Sequence, residues 1–171
     1  ARYRAVVGST MQRVAYAARC PVVIIARPCT TCSKLFSNIV FCTDFSKASD
    51  YAFLWAHKLA KTVGARLHIF HASDIGVGNL GQTQGQKEIE ERIASARKRI
   101  DDKYVSKIKD YDNYGIEIWE GIPYVEILKY TREHDGDLIV MAHHTREIDP
   151  EDAALGSTVE QVVLRASCPV A

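Results

Sequence analysis

Nowhere in the 171 residues does an apolar run approach the roughly 18 to 20 residues that cross a bilayer as a helix, so this segment is not expected to enter a membrane. Charge of one sign is also missing. With 22 Lys and Arg against 21 Asp and Glu the net charge is +1, and no dense basic run interleaves with aromatics, so no case arises for a nucleic-acid partner. The opening residues ARYRAVVGST do not have the build of a secretion signal. Five cysteines, an odd number with no such signal, point to a reducing, cytoplasmic setting rather than a disulfide framework. Nor does any spacing of nucleophile, base and orienting group mark a hydrolase, and no catalytic residue is named. What is present is ordinary for a globular domain: 47% hydrophobic and 25% charged residues, in a chain long enough to bury its own core.

The chain repeats itself. GSTMQRVAYAARCPV begins at Gly8 and GSTVEQVVLRASCPV at Gly156, with eight of fifteen positions identical. Self-similarity at a period close to a whole domain indicates tandem domains rather than solenoid turns. On this reading residues 1–27 are the final helix and strand of an upstream unit, residues 28–37 are a linker, and residues 38–171 are a second unit whose last strand is incomplete.

That second unit alternates strands and helices. NIVFCT (Asn38–Thr43) reads as a buried strand, followed by a helix from the N-cap Ser46 to Val63, with Gly64 as the stop. Ala52, Trp55, Ala56, Leu59, Ala60 and Val63 form its apolar stripe. ARLHIFHA (Ala65–Ala72) is the second strand. A helix over about Gln86 to Lys109 then turns Ile89, Ile93, Ala96, Ile100, Tyr104 and Ile108 inward. GIEIWEG (Gly115–Gly121) is the third strand, Pro123 starts a helix reaching about His134, and DLIVMA (Asp137–Ala142) is a fourth strand apolar enough to be central. The repeated helix starts near Gly156 or Ser157 and ends at Cys168-Pro169. Such alternation predicts an α/β fold: a parallel sheet with right-handed crossovers and helices on both faces. Ligands of these sheets lie beyond the carboxyl ends of the strands, which directs attention to the loops after Thr43, Ala72 and Ala142.

Four stretches in this order, CTDFSKAS, LHIFHAS, EGIPYVEIL with DGDLIVMA, and the repeated GST…CPV, resemble the universal stress protein family over residues 33–171 and again over 1–27. The resemblance implies a five-stranded parallel sheet of the adenine-nucleotide alpha-hydrolase-like kind. It also implies self-association through the last strands, as a homodimer or as a pseudo-dimer within one tandem chain, and ATP or a related adenine nucleotide as ligand. In the pseudo-dimer, residues 22–26 would lie beside the residues after Pro169.

The family's phosphate pattern, G-x2-G-x9-G-[ST], falls here on Ala142, Thr145 and Gly156-Ser157, so two glycines are lost and the second spacer is ten residues. The intervening HHTREIDPEDAAL sets one arginine against four carboxylates, a formal −3 where a triphosphate would lie. The loop is therefore read as degenerate. Thr43, Asp44 and Ala72 match the family's ribose and base positions, and Gly156, Ser157 and Thr158 would offer helix-start donors. Asp44 has an equally good bland reading, a cap on the Phe45-Ser46 turn. Gly8, Ser9 and Thr10 are the upstream copy of the phosphate loop. The expected role is a stress-response nucleotide-binding and signalling module. The alternatives are a dimerisation or partner-docking domain without nucleotide and, third, a weak ATPase.

Three other motifs carry less. GVGNLG (Gly76–Gly81) has G-x-G-x-x-G spacing but is separated from both flanking elements, and no acid ends a second strand about twenty residues on. CTTC (Cys29–Cys32) has zinc or redox spacing without a second pair of ligands. His143 and His144, adjacent at a strand end, would point to opposite faces, and no metal is expected. His68 and His71 read as strand residues with local partners, and KEIEERIASARKRIDDK as a solvated helix face.

Overall fold

In order along the chain, α1 (Ser9–Ala17) precedes β1 (Asn38–Cys42), α2 (Lys47–Val63), β2 (Arg66–Ser73) and α3 (Gln86–Lys103). After a 3₁₀ turn at Val105–Lys107 come β3 (Tyr114–Glu120), α4 (Pro123–Glu133), β4 (Leu138–Val140) and α5 (Ser157–Arg165). The computed structural model describes residues 8–26, 36–74, 85–142 and 156–171. Strands β3-β2-β1-β4 lie in that order, every pairing parallel.

The expected fifth strand is reduced to a bridge. Val170 pairs with Ile139 in parallel, and Ile139 N donates to Pro169 O at 3.0 Å while Ala171 N donates to Ile139 O at 2.8 Å. β4, read from its composition as central, is therefore flanked by β1 on one side and by residues 169–171 on the other, while the named strands of the described residues form a four-stranded sheet. Ile24 then bridges Val170 in the antiparallel sense, exchanging bonds of 2.7 and 3.0 Å. Residues 22–26 thus lie beside the residues that follow Pro169.

Two apolar layers sandwich the sheet. On one face Ile39, Phe41, Leu67 and Ile69 pack on α2 and α3 through Phe53, Ala56, Ala60, Ala96, Ile100 and Tyr104. On the other, Val40, Phe70 and Ile139 pack on α4 and α5 through Ile127, Tyr130, Val162 and Val163. The alternation along each strand sends successive side chains to opposite layers.

Local rules set the boundaries. Ser46 Oγ accepts Ser49 N at 3.1 Å and caps α2; Gly64, at φ 72°, ends it in the left-handed region open to glycine. The buried stripe of α2 differs from the expected one: Ser49, Phe53, Ala56 and Ala60 face the sheet, while Val63 lies nearly half exposed in the last turn. Helix α3 stops at Lys103, six residues short of the expected end, because Val105–Lys107 tighten to 3₁₀ geometry; Tyr104 and Ile108 remain buried. At the opposite pole Asp137 accepts Ser37 N and Asn38 N at 2.5 and 3.1 Å, which fixes the register of β4 on β1.

Candidate functional site

Beyond the carboxyl ends of β1, β2 and β4 lies a cavity of about 430 Å³, within the range of small-molecule sites. Thr43, Asp44 and Ser49 line one side of it, His71, Ala72 and Asp74 a second, and Ala142 with Gly156, Ser157 and Thr158 a third. Its floor is apolar: Cys42, Phe70, Ile127, Met141 and Val159. Of the residues singled out in the sequence, the fold brings Thr43, Asp44, Ala72, Ala142, Gly156, Ser157 and Thr158 together. Thr145, the acidic stretch from 143 to 155, Gly76–Gly81, Cys29 and Cys32 lie outside the described residues. Gly8 and Thr10 sit exposed at the start of α1 and do not line the cavity.

The turn after β1 is held by many bonds. Asp44 Oδ1 accepts Ser46 N at 2.9 Å and Ser49 Oγ at 2.6 Å, so the carboxylate does cap this turn while also facing the cavity. Thr43 Oγ1 accepts Phe45 N at 2.9 Å and meets Tyr104 Oη at 2.7 Å. Lys103 Nζ donates to Phe45 O at 2.8 Å and pairs with Asp50 at 3.0 Å. Phe45 itself has φ 65°, a conformation that costs a bulky residue of the order of 1–3 kcal/mol and persists only where surroundings enforce it. Here the enforcing groups come largely from the end of α3, and the Arg99 guanidinium lies 4.0 Å above the Phe45 ring.

His71 Nδ1 lies 2.8 Å from the carbonyl oxygen of Thr43, a bond in which the ring nitrogen donates. Burial lowers the His71 pKa, opposed by the bond to Thr43, assisted by Arg99 and opposed again by Asp44. The neutral ring with its proton on Nδ1 leaves Nε2 as an acceptor. Burial, with the neighbouring Asp50 and Asp44 charges, pushes the Tyr104 hydroxyl up to about 12, against the effect of its bond to Thr43. Burial also raises the Cys42 thiol, so it sits in the floor as an un-ionised apolar group.

The third wall is the first turn of α5. Gly156 occupies φ 72°, ψ 143°, which L side chains rarely adopt, and among the described residues no side chain caps the helix start. Backbone N–H groups at Ser157, Thr158 and Val159 have no intrahelical acceptor and lie at the cavity, where the helix dipole favours an anion. Sequence reasoning missed Ser49, Asp74 and Pro123 as lining residues. Ser49 has the only readable signal, three residues after an N-cap serine and so in the first turn of α2. Among the described residues no group of three or more His, Cys, Asp or Glu is placed to hold a metal ion, and no helix is long and apolar enough to cross a membrane.

The sequence profile of the universal stress protein family matches residues 35–171. A universal stress protein of Methanocaldococcus jannaschii is 30% identical over 142 residues, 80% of this chain and 81% of that protein. A solved universal stress protein of Archaeoglobus fulgidus is 26% identical with a TM-score of 0.51, covering 80% of this chain but 43% of its own. Two further solved structures share the fold. One is a universal stress protein in complex with cAMP, 20% identical, TM-score 0.53, covering 81% of this chain and 96% of its own. The other is an Archaeoglobus fulgidus universal stress protein in complex with dAMP, 19% identical, TM-score 0.59, covering 80% and 97%.

Proposed function

Because the chain belongs to the universal stress protein family, we propose that it is the second unit of a tandem member and binds an adenine nucleotide through a single phosphate, as a cytoplasmic signalling module. The observation that carries this is the uncapped start of α5 at Gly156, opening on a cavity whose far walls are Asp44, His71 and Ala72. A phosphate at Ser157 and Thr158 would accept the free N–H groups, and the nucleoside would reach the ends of β1 and β2. The thirteen residues before Gly156 carry a formal −3, which disfavours the second and third phosphates of ATP. Relatives solved with cAMP and dAMP, ligands with one phosphate each, agree with that limit. Tandem organisation is supported by the internal repeat and by the Archaeoglobus relative, of which this chain covers less than half. The bridge between Ile24 and Val170 supports pairing through last strands.

Titration calorimetry with AMP and ATP tests the reading. Saturable AMP binding that is lost in Ser157→Pro/Thr158→Pro, a change that removes both donors, is the expected result. The second reading, a partner-docking domain without nucleotide, draws on the same acidic stretch, and absence of any binding by intact protein would favour it.

A further inference from the structure

A second cavity, of about 420 Å³, abuts the one described above, and Met141, Ala142 and Val159 line both. The rest of its wall has nothing in common with the first. Helix α2 supplies Ala48, Tyr51, Ala52 and Trp55, and the bridged segments on either side of Ile24 and Val170 supply much of the remainder. The space follows from the sequence of α2. Ala48 and Ala52, four residues apart, share one row of the helix surface, and Tyr51 and Trp55, also four apart, share the next. Two methyl groups thus leave a furrow that two aromatic rings flank. The facing segments are short-chained as well, with Ala15 and Ala18 from α1 and Ala171 beyond Val170.

The chemistry of the wall selects its occupant. Among the described residues no lining side chain carries a charge, and the hydrogen-bonding side chains are the Cys20 thiol, the Tyr51 hydroxyl and the Trp55 indole N–H. An ion placed here would lose its hydration without gaining a counter-charge. The Tyr51 ring is 76% exposed and Trp55 is partly so, which leaves two large aromatic faces wet at the edge of an apolar space. We propose that this cavity is a second ligand site, taking an uncharged aromatic small molecule set against Tyr51 and Trp55 and filling the furrow over Ala48 and Ala52. Its volume suits such a ligand, and apolar walls with a few polar groups are the usual composition of small-molecule sites. A flat protein surface laid over the rings would leave the volume behind them unfilled. The proposal stands independently of the nucleotide reading, because the first turn of α5 and the turn at Asp44 take no part in it apart from the shared Val159.

The probe is N-phenyl-1-naphthylamine, an uncharged aromatic fluorophore that brightens in apolar surroundings, titrated into the 171-residue chain carrying Trp119→Phe. Trp55 is then the sole tryptophan and reports on the cavity wall. The expected result is a saturable rise in probe emission, one probe per chain, with Trp55 emission quenched along the same curve. Ala48→Leu/Ala52→Leu fills the furrow with good helix formers and should weaken binding by about tenfold or more while circular dichroism is unchanged. Tyr51→Ser removes an exposed ring, so the fold is undisturbed even if the double variant fails to fold, and should weaken binding by about fivefold. Millimolar AMP should leave probe binding in place, whether or not AMP itself binds. Absence of saturable binding, or binding indifferent to both variants, would overturn the proposal. Displacement of the probe by AMP would place it in the nucleotide cavity and overturn the proposal too. Probe binding that appears only on dilution of a dimer would assign the space to a second copy of the chain, with the same consequence.

Discussion

Gly156→Ala and Gly8→Ala change the same residue of the same motif and should have unequal effects. Each glycine is the N-cap of a nine-residue helix with no side-chain cap among the described residues, so any capping difference between glycine and alanine is common to both. The backbone angles are not: Gly8 sits at φ −59°, ψ 140°, open to any residue, while Gly156 sits at φ 72°, ψ 143°. Among the described residues no atom lies within 4 Å of a Cβ built at either position, so the difference between the two substitutions reads backbone strain. An L residue forced into the Gly156 geometry costs about 1–3 kcal/mol, which for a chain of this size lowers the melting temperature by about 2–12 °C relative to the Gly8 variant. If the helix start relaxes to relieve the strain, the N–H groups of Ser157 and Thr158 turn away and AMP affinity falls in the same variant. Urea denaturation followed by circular dichroism, with calorimetric titration alongside, reads both quantities. Equal destabilisation by the two substitutions would refute the strain argument.

Asp44→Ala removes the acceptor of Ser46 N and Ser49 Oγ and should cost about 1–2 kcal/mol in urea melts while weakening nucleotide binding; Asp44→Asn, which keeps a carbonyl acceptor, should recover most of the stability. Tyr104→Phe breaks the bond to Thr43 and should lower stability by about 1 kcal/mol with a loss of AMP affinity, because the turn carrying Asp44 loosens; unchanged affinity would show that the α3 contacts do not govern the site. His68 is buried, bonded to Tyr130 Oη through Nδ1 at 2.8 Å, and its Nε2 has no partner among the described residues. Burial, with Arg66 and His134, lowers its pKa from 6.5 to about 4, so the unfolded chain takes up the proton first. Stability is therefore full above pH 6.5 and should fall by about 3 kcal/mol as the pH drops to 4, a slope that His68→Leu should flatten in urea melts across that range.

Much of the architecture is legible in the sequence because its signals are local. Ser46 and Gly64 bound α2 through cap chemistry, Pro123 opens α4, and the β-branched runs at 38–42 and 138–140 form parallel strands. What was not legible depends on tertiary packing. On α2, Ala52, Trp55, Ala56, Leu59 and Ala60 of the expected stripe lie in or against the core, but the stripe leaves out Phe53, whose ring is tilted against Phe41 and Tyr104, and includes Val63, which is nearly half exposed. The end of α3 was misplaced because Tyr104 turns toward Thr43 rather than continuing the helix. At the site, the motif brought Gly156, Ala142, Ala72 and Asp44 into view. His71 looked only like a strand residue with a local partner, and it has one in Thr43 O; its place in the cavity wall depends on where β1 and β2 end together.

The central claim is that the cavity takes an adenine nucleotide by one phosphate at the start of α5. Its most direct test is competitive titration of AMP and ATP into the 171-residue chain at fixed ionic strength. The account predicts saturable AMP binding, with ATP weaker and further weakened in low salt, where the acidic stretch before Gly156 is least screened. ATP binding more tightly than AMP, or neither binding at all, would contradict it.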